Sequence, residues 1–310
     1  MRRGRGDTRV ARERRAAYAC VSPWVVGFVA FTAAPMVLSL VASFTDYNLL
    51  HPETTHWIGA NNYVEAFHDS TLRHSVFVTL YYLGLALPAD LVVGLVLALI
   101  LNSRLRGMGL FRTIFFLPVM IAGTGGASVA VALLWLWIFN PQFGLLNFVL
   151  SIAHIPGQLW IYSDRLVIPS LALMSLWSVG QTMLIFLAAL RGIPADTLWA
   201  AELDGASAWR RFWRVTVPLI SPAILFNLIL DMIAGLQTFT QAFVITQGGP
   251  GDSSLFYMLY LYRNAFSYFR MGYASVLAWL LFACTLLLTV LIFRAGRSWV
   301  FYQGAAARRA

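Results

Sequence analysis

The sequence predicts an all-α integral membrane protein with six transmembrane helices and both termini on the cytoplasmic side. Three observations predict it. Of the 310 residues 59% are hydrophobic and only 11% charged, with a mean hydropathy of +0.72, whereas soluble domains carry about a quarter charged residues. Apolar runs of the ~20 residues needed to cross a bilayer recur along the chain, separated by polar breaks. All 22 basic residues are arginine, and 18 of them fall in the two tails, in residues 102–112 and in the break after the fourth run. The other breaks hold only Arg73, Arg165, Arg263 and Arg270. Cytoplasmic loops carry the excess of positive charge, so the tails and those two breaks face the cytoplasm.

The elements follow in order. Residues 1–17 form a basic tail that reads as disordered, with seven arginines against Asp7 and Glu13. The apolar run 18–44 is too long for the core of a signal peptide and reads as an uncleaved first span. Residues 45–75 form a polar outer loop holding His51, His56, His68 and His74 beside Asp46, Glu53, Glu65 and Asp69. Their spacing matches no metal motif. The second span, 76–101, carries Pro88 and Asp90; the aspartate reads as a cap on a kinked backbone. A short basic turn with Arg104, Arg106 and Arg112 leads to the third span, 113–139. That span contains Pro118 and the run Gly123 to Ala127, whose small residues suit close helix packing. After a longer break come the fourth span, 166–190, and a polar segment, 194–218. The fifth span, 219–246, ends at the turn Gln247 to Gly251. Residues 255–270 read as an amphipathic outer helix, 271–293 as the sixth span and 297–310 as a tail. The transmembrane domain is thus 18–296. Cys20 and Cys284 lie in apolar runs with no metal or redox spacing and read as small buried hydrophobes.

The segment 194–218 is the longest polar break in the second half. It holds Asp196, Glu202, Asp204, Arg210, Arg211 and Arg214. Pro194 suits a helix start, Leu198, Ala201 and Glu202 fall at helical spacing, and Gly205 suits the turn that ends the run. A second amphipathic stretch, Trp209, Phe212, Trp213 and Val215, leads to Pro218. The spacing therefore predicts a helix, a sharp turn and a second helix. As residues alone, they serve equally a solvated loop or an elbow offered to a partner. The aromatic residues suit interfacial anchoring as well as docking.

The order Ala200, Ala201, Asp204, Gly205, Ala206, then Trp209, Arg211, Phe212, Val217, Pro218, Leu219 and Pro222 resembles the EAA loop of bacterial ABC importer permeases, in particular the sugar-type subunits. Three further stretches are similar to the same family: Ile58 to Tyr63; Phe139-Asn140-Pro141 with Gly144 to Asn147; and Gln247 to Gly251. The glutamate that names the loop would fall at Trp199, so the contact it makes is either absent here or moved to Glu202. The resemblance implies a type I ABC importer permease fold. It implies partners: a second permease, two ATPase subunits and an extracytoplasmic solute-binding protein, all set in membrane lipid, with no nucleic acid. It also implies that Ala200, Ala201, Glu202, Asp204, Gly205, Arg211 and Pro218 couple transport to the ATPase. With no lysine in the chain, a G-x-x-x-x-G-K-[ST] phosphate loop is impossible. ATP and magnesium therefore belong to a partner subunit, no cofactor is expected on this chain, and it is not expected to be an enzyme.

Ionisable groups inside spans are costly and face a bundle interior; Asp90 and Asp231 qualify. Trp177 and Gln181 are four residues apart, on one face of a continuous helix. Trp177, Gln181 and Asp231 are the expected substrate-path residues, since a ring and polar groups together suit a sugar. Each taken singly serves equally as packing. An ion-coupled secondary transporter is the rival reading, permitted by the two acids, though no internal repeat supports it. An intramembrane enzyme is disfavoured, because all five histidines are expected in outer loops and none in a span.

Overall fold

The computed structural model describes residues 4–103, 107–122 and 129–301. Arg104 and Arg106, and the run Gly123 to Ala127, lie outside the described residues. Among those described there is no strand, only the isolated bridges Thr45–Trp57 and Asn48–Arg270. The all-α expectation therefore holds, and two compact units emerge: residues 4–68 with Tyr262–Leu280, and Asp69–Leu261 with residues 281–301.

In the first unit, α1 (Gly4–Phe28) passes through a π-helical turn, Val29–Ala33, into α2 (Ala34–Ala42). The helix thus reaches well into the tail expected to be disordered. Trp24 and Phe31 stand 70% and 85% exposed, which in a bilayer faces lipid or a partner rather than water. The chain then folds back through a short loop to α3 (Asn61–His68). The Ile58 to Tyr63 stretch explains itself here. Buried Asn62 donates through Nδ2 to the carbonyls of Ser43 and Thr45, at 3.1 and 2.8 Å. Tyr63 meets Ser43 Oγ at 2.8 Å and packs on Phe44. Arg270 grips Glu65 at 2.6 Å and lies over the ring of Tyr273.

In the second unit, α4 (Ser70–Leu101) starts earlier than expected. Asp69 caps it, accepting from Thr71 and Leu72 N–H at 2.8 and 3.1 Å. His74 therefore stands in the early turns of a helix long and apolar enough to cross a membrane, not in a loop; its Nε2 lies 3.0 Å from the Asp252 carbonyl. Two shorter helices follow, α5 (Met108–Ala122) and α6 (Val129–Ile138), then α7 (Leu145–Ile152). Buried Asn147 organises the loop around α7. It donates to the carbonyls of Pro141 and Gln158 and accepts from Gln158 N–H and Trp160 Nε1, all within 3.0 Å. Its full set of partners satisfies an amide that burial would otherwise penalise.

Two helices make up the expected fourth span. α8 (Val167–Ser175) tightens into a 3₁₀ turn, Leu176–Ser178, and α9 (Gly180–Arg191) leaves at 51°. A Cβ on Gly180 would sit 2.2 Å from the Phe115 carbonyl, so only glycine lets α5 approach the bend this closely. α10 (Ala195–Leu203) and α11 (Ala208–Arg211) precede α12 (Val217–Leu236). α12 ends well short of residue 246: Gly235 and the polar pair Gln237 and Thr238 interrupt the apolar run, and only a π-helical turn, Ala242–Thr246, follows. α13 (Tyr257–Tyr262) is short, and α14 (Met271–Trp299) runs on past the expected end of the sixth span. Ala98, Leu101, Met183, Phe186, Leu187, Leu190 and Ile220 form a core shared by α4, α9 and α12.

Among the described residues four stretches are individually long and apolar enough to cross a membrane, namely Glu13–Ala42, Ser70–Leu101, Ala208–Leu236 and Met271–Trp299; the bent pair α8–α9, taken as one span, makes a fifth. The expected third span is described only as the two shorter helices, α5 and α6. Cys20 and Cys284 are exposed rather than buried. On a helix packed along one side only, an apolar residue of the other side faces outward without penalty in lipid.

Candidate functional site

Two features carry chemistry, both within the second unit. The first is the elbow. Pro194 caps α10 with φ −59° and ψ 132°, and Asp196 sits in the first turn, where the helix dipole favours a carboxylate. α10 ends in a Schellman turn: Gly205 N–H donates to the Glu202 carbonyl and Ala206 N–H to the Ala201 carbonyl, both at 3.0 Å. Gly205 takes φ +73°, in the left-handed region. Ser207 then caps α11, accepting from Arg210 N–H. Arg211 forms an ion pair with Glu202 across the turn. Trp199, Leu203, Trp209 and Trp213 stand 60%, 89%, 71% and 51% exposed. Trp209, Phe212 and Trp213 pack on one another with centroids 5.1–6.4 Å apart.

From the sequence, the polar segment is expected to end at Pro218 and the fifth span to start afresh at residue 219. Instead α11 continues through a π-helical turn, Phe212–Thr216, into α12 as one apolar run, Ala208–Leu236. The widened turn falls just before the proline, whose ring removes an amide donor and crowds the preceding turn.

The second feature is a cavity of about 230 Å³ among α4, α8, α9, α12 and the segment after it. Asp90, Gln181, Asp231 and Gln241 all line it. Asp90 does not cap its own helix: its Oδ2 accepts from Ser175 Oγ at 3.2 Å. Helix α4 runs unbroken past Pro88, so the carboxylate is free to reach α8. Asp231 Oδ2 and Gln241 Oε1 are buried and without a hydrogen-bond partner. Among the described residues the lining includes no arginine or histidine. Trp177 is absent from it. The bend at Val179 takes Trp177 and Gln181 off any common helical face, and the Trp177 ring meets Trp135 edge-on at 6.2 Å.

Residues 90–298 match the family of binding-protein-dependent transport system inner membrane components. The chain belongs to this family. The permease is 40% identical over 298 residues to probable ABC transporter permease protein YesP of Bacillus subtilis (strain 168), spanning 95% of this chain and 94% of that protein. It is 33% identical over 273 residues to trehalose transport system permease protein SugA of Mycobacterium tuberculosis (strain ATCC 25618 / H37Rv), spanning 88% and 85%. Its fold matches a solved bacterial alginate ABC transporter, in complex with an alginate pentasaccharide-bound periplasmic protein. The TM-score is 0.79 at 22% identity, over 94% of this chain and 96% of that one.

The permease thus joins Gln181 and Asp231 in one cavity and leaves Trp177 outside it. Gln241 and Ser175 were missed as site residues. Gln241 had no signal beyond following Gln237 on an expected span that proved to end at Leu236. Ser175 lies one turn before the bend, and nothing local marks a serine whose partner is on another helix.

Proposed function

We propose that this permease forms half of the translocation path of an ATP-driven importer for a sugar or a related polar solute. The cavity carries the reading: buried oxygens of Asp231 and Gln241 face it without protein partners, and buried acceptors of this kind call for donors from elsewhere. The name of the trehalose relative supports a sugar. In this reading Gln181 and Asp231 contact the solute inside the cavity, and Trp177, beside Trp135, contacts it elsewhere on the path. The other half comes from a second permease. An extracytoplasmic binding protein delivers the solute, and two ATPase subunits hydrolyse ATP. The permease itself binds no nucleotide and catalyses no reaction.

Coupling runs through the elbow, where Ala200, Ala201, Glu202, Asp204, Gly205, Arg211 and Pro218 build a rigid surface for an ATPase cleft, on the cytoplasmic side together with both termini. The two buried acids favour one rival, an ion-coupled secondary transporter. Uptake of labelled solute by cells carrying the intact system separates them. Loss of uptake on ATP depletion, with persistence under an uncoupler, supports the importer; the reverse pattern replaces it with the rival.

A further inference from the structure

Resting on the reading of the cavity as part of the path, we propose that it selects by charge: it takes a hydroxylated solute bearing a protonated amine and rejects anionic sugars. Asp90 and Asp231 come from different helices, α4 and α12, and line one space. Among the described residues no arginine or histidine lines that space, and the chain has no lysine. The described lining thus provides no cation to balance the pair. Its neutral groups bring hydrogen bonds but no charge, and they leave two acceptors uncovered. Asp90 receives Ser175 Oγ at 3.2 Å, but the same hydroxyl also lies 2.8 Å from the Ala172 carbonyl, and it has one hydrogen to share. Asp231 Oδ2 receives no hydrogen bond. Gln241, only 8% exposed, presents an unpartnered Oε1.

What the described lining lacks is therefore positive charge: its donors, among them Tyr82, Thr182 and Asn227, are all neutral. An ammonium group supplies three donors and one charge, and a buried carboxylate is stable when paired in this way. A neutral hydroxyl donates but leaves the like charges unbalanced. A carboxylate or sulfonate brings only acceptors and a further negative charge. At about 230 Å³ the cavity suits one ring-sized solute. Gln181 on α9 remains to hydrogen-bond the ring hydroxyls.

The test uses the full chain in nanodiscs and equilibrium dialysis against three matched probes: glucosamine, glucose and glucuronate. Glucosamine is expected to bind at least about tenfold more tightly than glucose, as charge-assisted hydrogen bonds require, with no binding of glucuronate. In Asp90→Asn and Asp231→Asn, whose folding is verified by thermal melting, the amine-to-neutral ratio falls by about tenfold. Equal binding of glucosamine and glucose, binding of glucuronate, absence of binding by all three, or a preference that survives both substitutions overturns the proposal. Failure of the importer reading shows separately, as uptake indifferent to ATP, and leaves these binding ratios untouched.

Discussion

Arg211 Nη1 donates to Glu202 Oε1 across the turn at Gly205, nine residues apart in sequence. The pair fastens the end of α10 to the end of α11. It does so without much energy: the Glu202 side chain is 56% exposed, and exposed pairs contribute about 0–1 kcal/mol. Its role is to hold an angle.

Glu202→Gln should therefore lower the melting temperature only slightly while loosening the elbow. ATP hydrolysis by the assembled transporter is expected to become less dependent on solute. The exchanged double variant Glu202→Arg with Arg211→Glu should recover part of that dependence. A double-mutant cycle showing no coupling between the two positions would remove the pair from the mechanism.

Gly205→Val isolates backbone strain from packing. Nothing lies within 4 Å of a Cβ placed there, but φ is +73°, a conformation that costs a branched residue about 1–2 kcal/mol or more. The variant should insert and fold, yet uncouple transport from hydrolysis. Normal coupled uptake in vesicles would show that the turn is not needed.

Gly180→Ala tests the opposite case. Here a Cβ meets the Phe115 carbonyl at 2.2 Å, so α5 and the α8–α9 bend must separate. Overpacking of this kind costs about 1–3 kcal/mol, and a clear drop in the detergent melting temperature is expected. Unchanged melting would mean the bend tolerates the shift.

Trp199→Ala should leave the fold alone, because the ring is 60% exposed and such changes stay within about ±0.5 kcal/mol. Co-purification of the ATPase from mild detergent should weaken. Full recovery of the ATPase would place docking on the other exposed residues, Leu203, Trp209 and Trp213.

Asn147→Ala removes four hydrogen bonds at once. The groups left unpaired cost about 1–3 kcal/mol, read as a lower melting temperature with uptake falling in proportion to folded protein.

Local signals made much of this legible. The elbow was readable because proline and glycine act on their own backbone: Pro194 and Gly205 fix the two ends of α10 whatever surrounds them. The apolar runs were readable because a bilayer imposes a length. What stayed hidden depended on residues distant in sequence. Asp90 looked like a cap for Pro88, and only the approach of α8 shows that it meets Ser175. Trp177 and Gln181 looked like neighbours on one face, because the bend at Val179 is set by contact of Gly180 with α5. The early start of α4 was legible in principle, since Asp69 followed by Ser70 and Thr71 is a capping signal. The apolar content of the next run drew the boundary to residue 76 instead.

The unbroken run from α11 into α12 has a mechanical meaning. Ala208–Leu236 is a single shaft of 29 residues, about 44 Å long at 1.5 Å per residue. Arg211 sits near one end of it, and Asp231 about 30 Å along. A tilt of 5° about the Arg211 end would swing the Asp231 carboxylate by about 2.6 Å over that moment arm. That is enough to exchange a hydrogen-bond partner for empty space. Two points in the shaft are compliant, the widened turn at Phe212–Thr216 and Pro222 inside α12. In the proposed coupling, stiffness there would set how much of a push on the elbow reaches the Asp231 carboxylate.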